Sequence, residues 1–241
     1  MRPYELMDRV GPHATADVVK PLLDHPDTDE SHLLRLLRKR ELSSSVIEAL
    51  ARHDRWGWRH VVRTAVVNHS KTPRTLALRL LSLLFWKEQL RVATNMRLTM
   101  ALRMAAENRL KERLPELEIG EKTTLARTVP PALVAILASE SEARLIRTLL
   151  QNPRAREVDV VGIVDRDSTH AAVLRVVAQS ERWVSRPPVN LGLLRHPNTP
   201  VHVALSLLER ISRRDLRKLV AGQELPRGVA LRAGRILYGE L

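Results

Sequence analysis

Apolar residues recur along this chain at helical rather than strand spacing. Ala77, Leu78, Leu80 and Leu81 form a stripe on one helix face, and Ala204, Leu205, Leu207 and Leu208 repeat it 127 residues later. Thr72-Pro73 and Thr199-Pro200 precede the two stripes. The spacing predicts a helix start at each: Thr accepts from free first-turn amides, and Pro, which lacks an N–H, takes the first helical position. Ser212-Arg213-Arg214-Asp215 has the pattern of a capping box ahead of Leu216, Leu219 and Val220, and Gly222 and Pro226 mark the next break.

The 127-residue offset extends well beyond these stripes. It aligns 1–114 with 128–241 without a gap, with 24 identities in 114 positions, 13 of them within the 36 positions from Val46 to Leu81. Leu22-Leu23-Asp24-His25-Pro26 falls on Leu149-Leu150-Gln151-Asn152-Pro153, and His69-Ser70-Lys71-Thr72-Pro73 on His196-Pro197-Asn198-Thr199-Pro200. The pattern predicts a tandem duplication: a first copy over 1–114, a joint at 115–127 and a second copy over 128–241, in one continuous array. Inside each copy a 44-residue step separates His25-Pro26 from His69-Ser70, and Asn152-Pro153 from His196-Pro197. A third of the offset is about 42 residues, which predicts three helix pairs per copy and five to six in the chain.

His196-Pro197-Asn198-Thr199-Pro200, followed by Ala204-Leu205 and Leu207-Leu208, resembles the N-P-x-T-P-helix pattern of bacterial leucine-rich-repeat-variant proteins. The period is similar to that of HEAT and armadillo repeats. The resemblance implies an all-α, right-handed α-solenoid that binds partners, with no shared catalytic residues. Variant repeats can accompany an Fe–S cluster, which a chain with no Cys cannot hold by thiolates.

Composition narrows the function classes. Lys and Arg number 40 against 27 Asp and Glu, a net charge of +13, and 44% of residues are apolar. Such a chain has material for a core, which excludes disorder over most of its length. Nine Gly and seven aromatic residues are too few for a β-sandwich or barrel. The absence of Cys and of a long apolar run predicts a cytoplasmic protein with no disulfide and no membrane span.

Four groups of residues invite a chemical reading. Val160 to Val164 followed by Asp165-Arg166-Asp167-Ser168-Thr169 resembles the nucleophile motif of haloacid-dehalogenase phosphotransferases. The alignment instead places this run on Leu33 to Leu37, with Asp165 and Asp167 on Arg38 and Arg40, which predicts a helix end with Ser168 as the next N-cap. Nine His suggest metal, but none has H-E-x-x-H spacing, so His69 and His196 read as turn residues and no metal or cofactor is expected. Arg55-Trp56-x-x-Arg59 recurs as Arg182-Trp183-x-x-Arg186, either a stacking and charge-pairing surface or a buried loop anchor. The basic runs Arg35 to Arg40, Arg97 to Arg113 and Arg210 to Lys218 complete the set, with Arg213, Arg214, Arg217 and Lys218 as further binding candidates.

These features predict a non-enzymatic scaffold that offers a basic, extended surface to a partner protein with an acidic surface. Nucleic-acid binding is the second class, favoured by charge and Trp but without a base-reading motif. HEAT-like DNA glycosylases are a third comparison, for which Asp54 beside Trp56 and Trp58, matched by Glu181 beside Trp183, supplies the local candidate.

Overall fold

The structure, a computed structural model, describes residues 2–239. Every regular element among them is helical, and none is long and apolar enough to cross a membrane. The chain divides into two compact units, one up to Pro115 and one from Glu116.

The first unit holds α1 (Pro3–Arg9), α2 (Ala16–Asp24), α3 (Glu30–Leu37), α4 (Ser44–Arg52), α5 (His60–Val67), α6 (Arg74–Leu81), α7 (Trp86–Thr94) and α8 (Met100–Arg113). Most have only seven to nine residues, too few to be stable alone, so their packing must hold them. Each contributes a short helically spaced apolar set to the core: Val19, Leu22 and Leu23 from α2, Leu33, Leu36 and Leu37 from α3, Val62, Val66 and Val67 from α5. Helices two apart lie side by side, α1 on α3, α3 on α5, α2 on α4 and α6 on α8, while α1 on α2, α4 on α5, α5 on α6 and α7 on α8 join the rows.

The second unit holds α9 (Ile119–Ala126), α10 (Pro131–Leu137), α11 (Ala143–Leu150), α12 (Glu157–Val164), α13 (Ala171–Ala178), α14 (Glu181–Val184), α15 (Pro187–Arg195), α16 (Val201–Leu208), α17 (Arg213–Ala221) and α18 (Arg227–Tyr238). Its packing follows the same scheme: α9 on α11, α11 on α13, α12 on α15 and α16 on α18. The starts of α2 to α8 plus 127 are the starts of α11, α12, α13, α15, α16, α17 and α18. The stretch expected as a joint contains α9, a full member of the second unit that packs on α11.

Eight helices in the first unit and ten in the second, among the described residues, exceed the three pairs expected per copy. Helices begin every 12 to 16 residues from α2 to α8, so a 44-residue step spans three helices, from the end of α2 to the end of α5. Similar turns close helices of both rows, and cap spacing alone therefore reports a multiple of the helix step. The packing repeat is shorter. Side-chain bonds between successive turns reach back about 30 residues: His69 Nε2 to the Lys39 carbonyl at 3.0 Å, His196 Nε2 to the Arg166 carbonyl at 2.9 Å, and Lys39 Nζ to the Met7 carbonyl at 2.8 Å.

These turns show how the local sequence works. His25, His53, His69 and His196 each accept the amide two residues ahead at Nδ1, and Asn95 and Asn152 do the same through Oδ1. A neutral imidazole can thus replace Asn in an Asx-like turn while its other nitrogen donates to the preceding repeat. Thr72 does not cap the helix that follows it. Its hydroxyl donates backward to the Val66 carbonyl at 2.5 Å, as Thr28 donates to Leu22 and Thr169 to Ile163, each satisfying an acceptor at the end of the previous helix. Pro73 and Pro200 are accordingly N-caps rather than first helical residues. Val160 to Val164 lies in α12 as predicted, but the cap of α13 is His170, not Ser168. Ser212 does cap α17, accepting from the Asp215 amide at 3.1 Å, with Leu216 and Leu219 buried behind it.

Candidate functional site

The Trp pair is core. Trp56 and Trp183 are 2% and 3% exposed, and each indole Nε1–H donates at 2.8 Å to a carbonyl near the end of the preceding helix of its row, Leu23 and Leu150. Such carbonyls lack helical partners, so each indole satisfies one while burying its rings. The paired arginines cover them: Arg55 and Arg182 lie 4.4 Å from the ring centroids. Arg55 also donates to the carbonyls of His25 and Thr28, and Arg182 to those of Asn152 and Ala155. Arg59 and Arg186 face Glu30 and Glu157 at 3.6 and 3.9 Å. The motif is thus a repeat anchor with its cations committed to neighbours, and a base could not stack on either buried indole.

Asp54 is exposed beside the buried Trp56, while Trp58 is 57% exposed with Arg59 over its ring. Glu181 is held by both Nη atoms of Arg210, at 2.8 and 3.0 Å, which keeps its carboxyl below the usual range and raises the guanidinium. On α17, Arg213, Arg214, Arg217 and Lys218 are exposed opposite Leu216 and Leu219.

The feature that individual motifs did not reveal is a groove in the first unit. It runs over the C-terminal turns of α3, α5 and α7 with a volume of about 820 Å³. Leu34, Leu37 and Ala65 give it an apolar floor, and Arg38, Arg40 and Arg97 line it with charge. Its turns are held together from below: Asn95 Nδ2 donates to Asn68 Oδ1 at 3.2 Å, and Asn68 Nδ2 to the Thr64 carbonyl at 2.9 Å. Among the described residues no carboxylate pairs with the three guanidinium groups, which stand exposed, and no carboxylate lines the groove.

At +127 the charges reverse. Arg38, Arg40 and Arg97 correspond to Asp165, Asp167 and Glu224, and Asn68 to Arg195. Arg195 is ion-paired with Glu224, neutralising part of that surface internally. Ala65 corresponds to Gly192, where α15 approaches α12 so closely that an added Cβ would lie 2.5 Å from Val164 Cγ2. At the three arginine positions the second unit carries acid, and at the Ala65 position a tight contact where the first unit has a floor. The alignment of Arg38 and Arg40 with acids was legible in the sequence; that Arg97 joins them required the fold.

No family model, curated protein or solved structure matches the chain.

Proposed function

We propose that the chain is a non-enzymatic helical-repeat scaffold of HEAT/armadillo type, a right-handed stack in each unit derived by tandem duplication, that presents a basic surface to a partner protein with an acidic surface in the cytoplasm. The observation that carries this reading is the set of exposed guanidinium groups without partners on a structured apolar floor, Arg38, Arg40 and Arg97. Charge-assisted bonds to carboxylates are the natural complement of such groups, and a stack of short helices holds them in fixed geometry. The matched helix starts and the equivalent Trp anchors support the duplication.

Nucleic-acid binding is the second reading, favoured by the exposed cationic face of α17, formed by Arg213, Arg214, Arg217 and Lys218. The two readings separate by salt dependence. For a partner-binding scaffold, a generic labelled duplex should bind only weakly at physiological salt, with Kd about 10⁻⁴ to 10⁻⁶ M, as for any basic surface. Tight duplex binding that survives about 200 mM salt, with a slope of roughly −0.9 per phosphate neutralised, would overturn the protein-partner reading.

A further inference from the structure

We infer that the groove over the ends of α3, α5 and α7 is the binding site for an extended acidic peptide segment of the partner. The inference rests on the proposed scaffold function and assigns its point of attachment. Arg38 and Arg40 follow the end of α3 and Arg97 follows α7, with α5 between them. Packed helices stand about 8 to 10 Å apart, so one small anion cannot reach both sets, whereas a few residues of extended chain, at about 3.3 Å each, can. The guanidinium fork matches a carboxylate in two parallel bonds. Leu34, Leu37 and Ala65 offer apolar contact between the charges, and the volume of about 820 Å³ is that of a cleft for a short segment. No Phe, Tyr or Trp lines the groove, and the His69 ring at its edge is buried with both nitrogens bonded in its turn, so no ring is free to stack a base, which favours peptide over a single nucleic-acid strand.

The second unit shows that the arginines are not needed for folding. Its corresponding positions hold Asp165, Asp167 and Glu224 in the turns after helices that start at matching places. The fold therefore tolerates either sign here, and three unpaired cations over one floor call for an external anion. The asymmetry also makes the site single: a peptide held in the first unit would meet like charge on the matching surface of the second.

The test uses the full chain and fluorescence anisotropy at physiological salt. The probe is a labelled peptide of Asp-Leu-Glu-Ser repeated three times, beside the same peptide with Lys replacing both acids and an oligothymidylate of equal charge. The triple variant Arg38→Asp, Arg40→Asp, Arg97→Glu installs residues that the second unit already carries. The comparison variant Arg227→Glu, Arg232→Glu, Arg235→Glu removes the same charge from the exposed face of α18. Circular dichroism and thermal melts establish that both fold. The acidic peptide should bind in preference to both other probes, the groove variant should lose roughly tenfold or more in affinity, and the α18 variant no more than about threefold. Equal losses from both variants would overturn the groove while leaving an acidic partner standing. Preferential binding of oligothymidylate would overturn the groove and the scaffold reading together. Failure of the folded wild-type chain to bind the acidic peptide would overturn the groove assignment.

Discussion

The groove of the first unit and the matching surface of the second differ in nearly every polar residue while their helices start in matching register. Arg38, Arg40 and Arg97 stand against Asp165, Asp167 and Glu224, Ala65 against Gly192, and Asn68 against Arg195. The helix caps show the same inversion: Asp29 caps α3 and bonds His32, whereas Arg156 precedes α12 and bonds Asp159 at 3.0 and 3.2 Å. By contrast, the indole anchors, the His turns at His69 and His196, and the apolar stripes match. Burial and backbone satisfaction constrain a residue through its neighbours, and a solvated charge has few neighbours to constrain it. Divergence between two similarly folded regions is therefore freest at solvated positions, which the core does not constrain.

The comparison breaks most sharply at the anchors. Trp56→Ala and Trp183→Ala should each destabilise by about 3 to 5 kcal/mol, since each leaves a cavity and an unsatisfied carbonyl. Denaturant melts of the two variants should show losses of similar size. A large loss for one and none for the other would end the structural equivalence of the two anchors.

A smaller effect is expected at the turns. His69→Ala and His196→Ala should each cost about 1 to 3 kcal/mol by leaving a turn amide and a carbonyl of the preceding repeat unpaired. The Asn variants should recover much of the loss, because Asn95 and Asn152 already accept the equivalent amides. If Asn and Ala variants melt together at both sites, the turn bonds contribute nothing.

Gly192→Ala sharpens the difference between the grooves. Ala favours a helix interior over Gly by about 1 kcal/mol, yet here its Cβ would press on Val164. A net loss of about 1 to 2 kcal/mol is expected from the overpacking. Ala65→Gly on the groove floor should cost less than about 1 kcal/mol, from helix propensity. A stabilising Gly192→Ala would mean that α15 and α12 are not held in close contact.

The smallest effect is in acid. Asp29 accepts from the Ser31 hydroxyl at 2.6 Å, the His32 amide at 3.0 Å and the His32 ring at 2.7 Å, and its carboxyl is lowered to about 2. Because the folded value lies below the unfolded value of about 3.8, its contribution is present above about pH 4 and is lost as pH falls toward 2. Asp29→Asn should flatten the pH dependence of the melting temperature in that window and leave it unchanged near neutrality. An unchanged acid slope would show that Asp29 titrates normally.

Helical character and a few helix ends were legible because they follow from local chemistry: Ser212 caps α17, Gly222 ends it, and the stripe from Ala77 to Leu81 packs as a helical face. The Thr-Pro turns were misread at one atom. Thr72 can serve the helix ahead or the one behind, and only the folded turn selects the Val66 carbonyl. The helix-pair count was obscured because similar caps close both rows of helices. Of the candidate residues, Arg55, Trp56, Arg182 and Trp183 were recognisable as a recurring unit, but burial of the rings depends on helices about 30 residues away.

The sequence by itself determined an all-helical chain, some of the places where helices begin and break, the 127-residue register and the excess of positive charge, which are properties of local chemistry, of self-alignment or of composition. Tertiary structure decided which helices pack side by side, which indoles are buried, and which arginines remain unpaired. Arg38, Arg40 and Arg97 are ordinary members of basic runs along the chain; packing of α3 against α5, and the Asn68–Asn95 contact between the ends of α5 and α7, bring them over one floor. The physical reason is range: caps and helical stripes act over a few residues, whereas the electrostatics of a groove depend on charges separated by 59 positions and on the absence of a carboxylate between them.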